Sequence, residues 1–360
     1  MKTSGWVDKS PRIRPQGGSH GSLLHWTRSP QKIIAYCIKT GSGTIVNRGT
    51  IAATRSALTA WIERLPRPWI GAMEATMFTG WVYDFLKPHA QELKVAHPEM
   101  LKAITAAKKK NDREDAEKIC DLLRVDLLPQ CYMAPQELRE LRRVLRYRNH
   151  VVRMATTVKN KMSGLLMEVG AEYSKKRLHG RSYFAKLLDT VEDVPASVKE
   201  LLRFSRGGLE IFTAVQKKLL SALRDNSLIH ERVQRLMTIP GVGEVTALTW
   251  ALEIGDPSRF FARQAISYCG LCSAQKESGG KETRGPISKK RNKHLQTILV
   301  EAAKLAPHWN LQLAELHARE LTRGNRNRAT LAVARKLVIY LLAIDKSGVD
   351  FVMHRELAAA

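Results

Sequence analysis

The segment best equipped for chemistry is a single hydroxyl followed by two glycines and a run of cations. Residues 277–296 read ESGGKETRGPISKKRNKHLQ: Ser278, Gly279, Gly280 and Lys281, then Arg284, Lys289, Lys290, Arg291 and Lys293. A nucleophile in a cationic, backbone-exposed loop suits attack on a phosphodiester. Glycines allow close backbone approach, and bare amides hold phosphate oxygens. Upstream, Ile239-Pro240-Gly241-Val242-Gly243 has the form of the turn in a helix-hairpin-helix element. There Gly241 and Gly243 would grip a nucleic-acid backbone without reading bases.

A second chemistry is carried by acids. Asp112 and Asp115 stand three apart in KKKNDREDAEKI and share a face if the segment is helical. Paired carboxylates repel unless a cation lies between them, and oxygen donors of this kind suit Mg²⁺. The alternative makes Asn111 or Asp112 an N-cap and the rest first-turn acids favourable to the helix dipole. Glu74 ends the apolar run Trp69-Ile70-Gly71-Ala72-Met73, where an α/β sheet presents its ligand-binding edge. A strand-end Glu with a helical Asp pair is the layout of a ribonuclease-H-like nuclease centre; the alternative is a solvated residue at a strand-helix junction.

Composition agrees with a polyanion partner. Lys and Arg number 59 against 34 Asp and Glu, a formal charge of +25. The longest apolar runs, such as Leu337 to Ile344, fall far below the roughly 18 residues of a membrane-spanning helix. No membrane association is expected, nor a secretion signal, and a cytoplasmic location follows. The five cysteines are therefore not expected to form disulfides. Cys269 and Cys272 make a C-x-x-C, but no second pair stands at zinc-ligand spacing.

These groups must be positioned by at least two kinds of structure. Lys32 to Thr40 and Thr44 to Ile51 read as a hairpin across Gly41-Ser42-Gly43. A helix follows at 54–65, then a strand at Trp69–Met73, a helix at Thr76–Leu86, a strand at Leu93–Ala96 and a helix from about Asn111 to Leu123. This is an α/β pattern over 32–134. Residues 135–230 become long amphipathic helices, a linker of coiled-coil character, with Gly207-Gly208 predicted to break the second stretch. A mostly α region over 231–345 holds the hairpin element and helices at about 292–306, 310–322 and 327–344, and 346–360 is a tail. Residues 1–31 have no periodicity and read as an irregular arm.

Taken in order, GAMEAT around Glu74, KKKNDREDAEKI, IPGVG, ESGGKETRGPISKKRNKHLQ and ATLAVARKL at 329–337 resemble transposases of the insertion-sequence one-ten and eleven-eleven families. Piv-type DNA invertases are related to them. The resemblance covers about residues 32–345. It implies a RuvC-like, RNase H-like N-terminal domain with a DEDD carboxylate set, a helical linker and a C-terminal domain with a catalytic serine. By position it makes Glu74, Asp112 and Asp115 the second, third and fourth acids, binding Mg²⁺, and Ser278 the residue that links covalently to DNA. It further implies DNA ends and target as substrates, a guide RNA from the element, and a homo-oligomer, dimer or tetramer.

One part of the pattern is missing. The family's first Asp belongs just before the hairpin at 32–51, and Leu23-Leu24-His25-Trp26-Thr27-Arg28-Ser29-Pro30-Gln31 contains no acid. Asp8 lies too far upstream in a segment poor in strand formers. His-Trp-Thr must be encoded CAY TGG ACN, and a shift of one nucleotide reads YTG GAC, Leu-Asp. Residues 1 to about 30 therefore read as translated out of frame, with the natural frame resuming near Pro30 to Lys32, in a copy impaired by the loss of an acid. The alternative is a genuine basic arm. Two other functions stay open at this point: a non-catalytic nucleic-acid-binding protein, and a RuvC-like junction nuclease that uses the carboxylates alone.

Overall fold

The computed structural model describes residues 22–26, 33–104, 112–191 and 194–353. Asp8, most of the N-terminal arm and the basic run Lys108–Lys110 lie outside the described residues. The chain divides into two compact units, Met1–Gln136 and Glu137–Ala360.

The first unit is built on five strands. They are β1 (Ser22–Trp26), β2 (Ile33–Lys39), β3 (Ile45–Ala52), β4 (Ile70–Glu74) and β5 (Glu92–Ala96). Their order is β3-β2-β1-β4-β5, with β1 antiparallel to β2 and parallel to β4, and β4 parallel to β5. Helices α1 (Arg55–Ile62) and α2 (Thr79–Leu86) belong to the connections, followed by α3 (Pro98–Ile104) and α4 (Asp112–Arg124). Alternation along the strands gives the sheet two apolar faces. Ile34, Ile38, Met73 and Val95 pack with Leu58, Trp61, Val82 and Leu86 of α1 and α2. Cys37, Ala72 and Ala96 pack on the other face with Ala116, Ile119, Cys120 and Leu123 of α4.

The irregular arm expected over 1–31 is corrected here. Ser22–Trp26 form the central strand, paired on both sides. Five residues are too few for a periodic signal; a slot between two formed strands selects them instead, by satisfying backbone groups on both edges.

The second unit opens with α5 (Gln136–Glu168), α6 (Arg181–Thr190) and α7 (Ala196–Arg224). One apolar cluster joins Met162, Leu165 and Leu166 of α5, Phe184 and Leu187 of α6, and Leu202 and Leu209 of α7. The predicted break at Gly207-Gly208 does not occur, since α7 runs through it. Two mid-helix glycines cost about 1 kcal/mol each relative to alanine, and burial of Leu202 and Leu209, seven residues apart, offsets that.

Beyond them come α8 (His230–Met237), α9 (Glu244–Ile254), α10 (Ala262–Tyr268), α11 (Lys293–Leu305), α12 (Leu311–Thr322) and α13 (Arg326–Ser347). Asn292, Asn310 and Asn325 cap α11, α12 and α13 through side-chain oxygens. Helix α9 is buried all round, from Thr246 to Ile254. A buried carboxylate of α13 ties α8 to it. Asp345 of α13 accepts from Arg232 Nε at 2.6 Å and Nη2 at 2.7 Å, and from Trp250 Nε1 at 2.8 Å. No helix among the described residues is long and apolar enough to cross a membrane.

Candidate active site

The acid edge is assembled by register. Ile70, Ala72 and Glu74 alternate onto the face that α4 covers, and the buried stripe of α4 runs Ala116, Ile119, Cys120 and Leu123. Asp112 and Asp115 prolong that stripe by one turn, at helical spacing, so they share its sheet-facing side. Height can be read from the strand pairing. The Cys37 thiol hydrogen-bonds to Cys120, and Cys37 stands beside Leu23, itself beside Ala72. From Ala72 to Glu74 is roughly 6.6 Å of strand, and from Cys120 back to Asp115 roughly 7.5 Å of helix. Asp115 is thus level with Glu74, and Asp112 lies one turn beyond.

The edge nevertheless stays open. All three acids are half-buried, and Lys118 reaches Asp115 at 3.7 Å. Among the described residues no three His, Cys, Asp or Glu side chains form a group that could hold a metal ion. The C-x-x-C pair makes none either: Cys269 is buried at the end of α10 and Cys272 is half-buried. The parallel register that sets Leu24 beside Met73 brings position 25 level with Glu74. The strand slot beside the acids is therefore filled by His25-Trp26, with no carboxylate in that backbone stretch. Among the described residues, Glu74, Asp112 and Asp115 do not by themselves form a complete cation site.

His97 escaped the sequence reading. It follows Ala96, the register partner of Glu74, and its buried Nδ1 meets no hydrogen-bond partner among the described residues. A lone histidine after a strand carries no sequence signal that marks it.

The serine segment, read as a loop in a mostly α region, is a β-hairpin. Strands β6 (Ser273–Ser278) and β7 (Lys281–Ile287) pair antiparallel, with Ser278 opposite Lys281. Gly279 and Gly280 have φ of +58° and +76°, the left-handed pair that a two-residue hairpin turn of type I′ demands. Nothing lies within 4 Å of a Cβ built on either, so the tip is open. Ser278 and Lys281 are exposed there. Arg284 sits in β7 opposite Gln275.

The base of the hairpin is clamped. Gln296 Nε2 of α11 donates to Gly270 O at 2.6 Å, and Arg335 Nε of α13 donates to Leu271 O at 2.9 Å. Ser288 N donates to Cys272 O and Asn292 N to Tyr268 O, both at 3.0 Å. Asn292 Nδ2 also donates to Glu253 Oε2 at 2.9 Å, while Arg146 of α5 donates to both oxygens of Glu253 at 2.7 and 2.8 Å. Burial would raise the Glu253 carboxyl, but Arg146, Asn292 and Arg142 together hold it below the usual carboxylate range. Glu253 is the lone acid in the apolar run ALTWALEI, a signal that could have flagged it. Burial pushes the nearby His294 imidazole down, with the Arg146, Lys293 and Arg153 charges adding to the effect against Glu253.

Between clamp and α11, Lys289, Lys290, Arg291 and Lys293 are all exposed. Arg291 donates to Ser288 O at 3.2 Å, which shapes the turn. The arrangement is an exposed hydroxyl on a short rigid arm, with a cationic strip leading from its base.

The turn Ile239–Gly243 joins α8 to α9 as expected. Gly241 has φ +93°, and a Cβ there would stand 2.7 Å from Ala306 Cα and Cβ. Close packing in this unit accounts for that glycine. Gly243 is exposed at the N-cap of α9, with nothing near an added Cβ.

A transposase model of the DEDD, IS110 type matches residues 31–170, and the Transposase IS116/IS110/IS902 family model matches residues 233–318. A "Probable family 20 transposase" of Pseudomonas aeruginosa is 28% identical over 256 residues, 69% of this chain and 74% of its own length. The transposase for insertion sequence element IS1328 of Yersinia enterocolitica is 27% identical over 309 residues, 83% and 90% of the two chains. That for element IS1111A of Coxiella burnetii is 29% identical over 245 residues, 63% and 64%. The matched models and these relatives make the mixed α/β unit and the helical unit after it those of an insertion-sequence transposase, an enzyme that cuts and rejoins DNA. The chain belongs to the IS110 family of transposases. The DEDD match also implies an RNase H-like fold for the first unit and points to divalent-metal dependence.

Proposed function

We propose that this chain moves an insertion sequence through a covalent serine-DNA intermediate, with Ser278 as nucleophile. The observation that carries the reading is the open hairpin tip: an exposed hydroxyl beside Lys281, on an arm clamped at its base and flanked by Lys289, Lys290, Arg291 and Lys293. In the step, Ser278 Oγ forms a bond to the phosphorus and the bond from phosphorus to the leaving deoxyribose oxygen breaks. The hydroxyl proton passes to a base, and the leaving oxygen ends protonated. The new phosphoester conserves the bond energy for rejoining. Residues 32–134 serve as the acid domain, 135–230 as the linker and 231–345 as the serine domain. Gly243, Gly279, Gly280 and Arg284 are taken to meet the nucleic-acid backbone.

Glu74, Asp112 and Asp115 are the surviving ligands of a Mg²⁺ site, and this copy is impaired by the lack of the first Asp. Similarity to the DEDD model begins at residue 31, beside the acid-free strand. A guide RNA from the element selects DNA by base pairing, which leaves a basic protein to recognise shape and backbone. A dimer or tetramer brings the acids of one protomer to the serine of another, in the cytoplasm.

The test is to trap a protein-DNA adduct on a junction substrate with the element's flanking RNA, using the chain with an acid restored at position 25 or 26. A phosphoserine at Ser278, lost in Ser278→Ala with DNA affinity retained, is the expected result. Cleavage that survives Ser278→Ala without an adduct would replace this reading by a carboxylate-only nuclease.

A further inference from the structure

The helical unit holds a cavity that the transposition reading leaves unused. Its volume is about 390 Å³, and it lies among α5, α6, α7 and the segment that precedes α6. Lys159, Arg181, Arg206 and Lys217 line it, with His179 and a single carboxylate, Glu210. Four permanent cations against one carboxylate leave a net charge of +3 on the walls. Glu210 is committed to the two arginines, 3.2 Å from Arg181 Nε and 3.5 Å from Arg206 Nε. Among the described residues no carboxylate pairs with Lys159 or Lys217.

Two features point to a missing polar occupant. Among the described residues the buried His179 Nδ1 meets no hydrogen-bond partner, a costly state that a ligand atom would relieve. Arg206 is set in place beforehand: it donates to His179 O at 2.7 Å, and its guanidinium lies 5.6 Å from the centre of the Phe184 ring. A fixed guanidinium loses little freedom on meeting an oxyanion. Burial, with the charges of Lys159 and Arg206, pushes the His179 imidazole below its ordinary value.

We propose that this cavity is a phosphate-binding site, taking one phosphate group of a nucleic-acid strand or of a free nucleotide. A planar, fixed arginine and two lysines at the rim of a small cavity match a phosphate's charge and acceptor oxygens. The volume exceeds that of a phosphate alone and falls in the range of small-molecule sites, so an attached sugar fits as well.

The test uses the full chain and two variants, Lys159→Gln with Lys217→Gln, and Ala214→Phe, which fills the cavity from α7; unchanged thermal unfolding establishes their fold. A fluorescent twelve-nucleotide single strand is followed by anisotropy against salt, and adenosine 5′-monophosphate by calorimetry. If a strand is the source, both variants weaken oligonucleotide binding about tenfold and lower the salt slope by about 0.7 per lost phosphate. If a free nucleotide is the source, the monophosphate binds saturably to the unaltered chain, Ala214→Phe abolishes this, and the strand binds as before. Equal binding of both probes by all three proteins overturns the proposal.

Discussion

The acid edge and the serine arm are built in opposite ways. Glu74, Asp112 and Asp115 come from a strand and a helix 38 positions apart in the chain, and Asp115 comes level with Glu74, with Asp112 a turn beyond, only because β2, β1 and β4 keep register and α4 packs on their common face. Ser278, its two-residue turn and Lys281 lie within four consecutive residues and need only the hairpin to align them. A site assembled across a sheet fails when one strand is wrong. A site assembled on a turn survives as long as its base is held. β1 carries no acid, and the pairing of the serine hairpin does not depend on that strand.

The comparison is broken most directly by restoring the acid. His25→Asp or Trp26→Asp is expected to raise Mg²⁺-dependent DNA cleavage by about 10- to 100-fold, the scale of a lost metal-supporting group; no gain at either position, measured on a junction substrate, would separate the acid edge from activity. Next comes the contrast between the serine arm and its cationic base. Replacing Lys289, Lys290 and Arg291 together with Gln should lower the slope of log affinity against log salt by about 2.7 for duplex DNA if each meets one phosphate. An unchanged slope would move the DNA path away from the hairpin.

A smaller effect tests the helical frame. Gly241→Ala must place a Cβ at positive φ and 2.7 Å from Ala306, so a loss of about 2–4 kcal/mol in unfolding free energy is expected. Gly243→Ala, with open space around it, should cost under about 1 kcal/mol. The smallest effect concerns pH. Glu253 is held below its unfolded value, so its pairing contributes stability above the unfolded pKa of roughly 4.3, and that contribution is lost as pH falls through the lower folded value. Glu253→Gln should flatten this acid-side decline in chemical denaturation. An identical pH profile would remove Glu253 from the clamp.

Most strands and helices were legible because their patterns are strong. The apolar alternation of 33–52 and the stripes of α11 to α13 appear within three residues of their expected bounds. Three readings failed for identifiable reasons. Ser22–Trp26 is too short to announce itself and becomes a strand only between formed neighbours. The glycine pair in α7 was outweighed by apolar burial on either side. Ser278 was read as part of a loop because Gly-Gly signals flexibility and left-handed turns alike, and the paired strands are polar on both faces.

What the sequence determined by itself is local. A +25 chain with a glycine-flanked serine, a spaced acid pair and helix-length amphipathic runs already specifies a polyanion partner, a phosphoryl chemistry and an α/β unit followed by helices. The tertiary structure decided what depends on distance across the chain. It set Asp115 level with Glu74, put the acid-free strand next to them, held the serine arm through Gln296, Arg335 and Glu253, and gathered Lys159, Arg206 and His179 around one cavity. Periodicity encodes which face a residue takes. Only packing and strand register encode which faces meet.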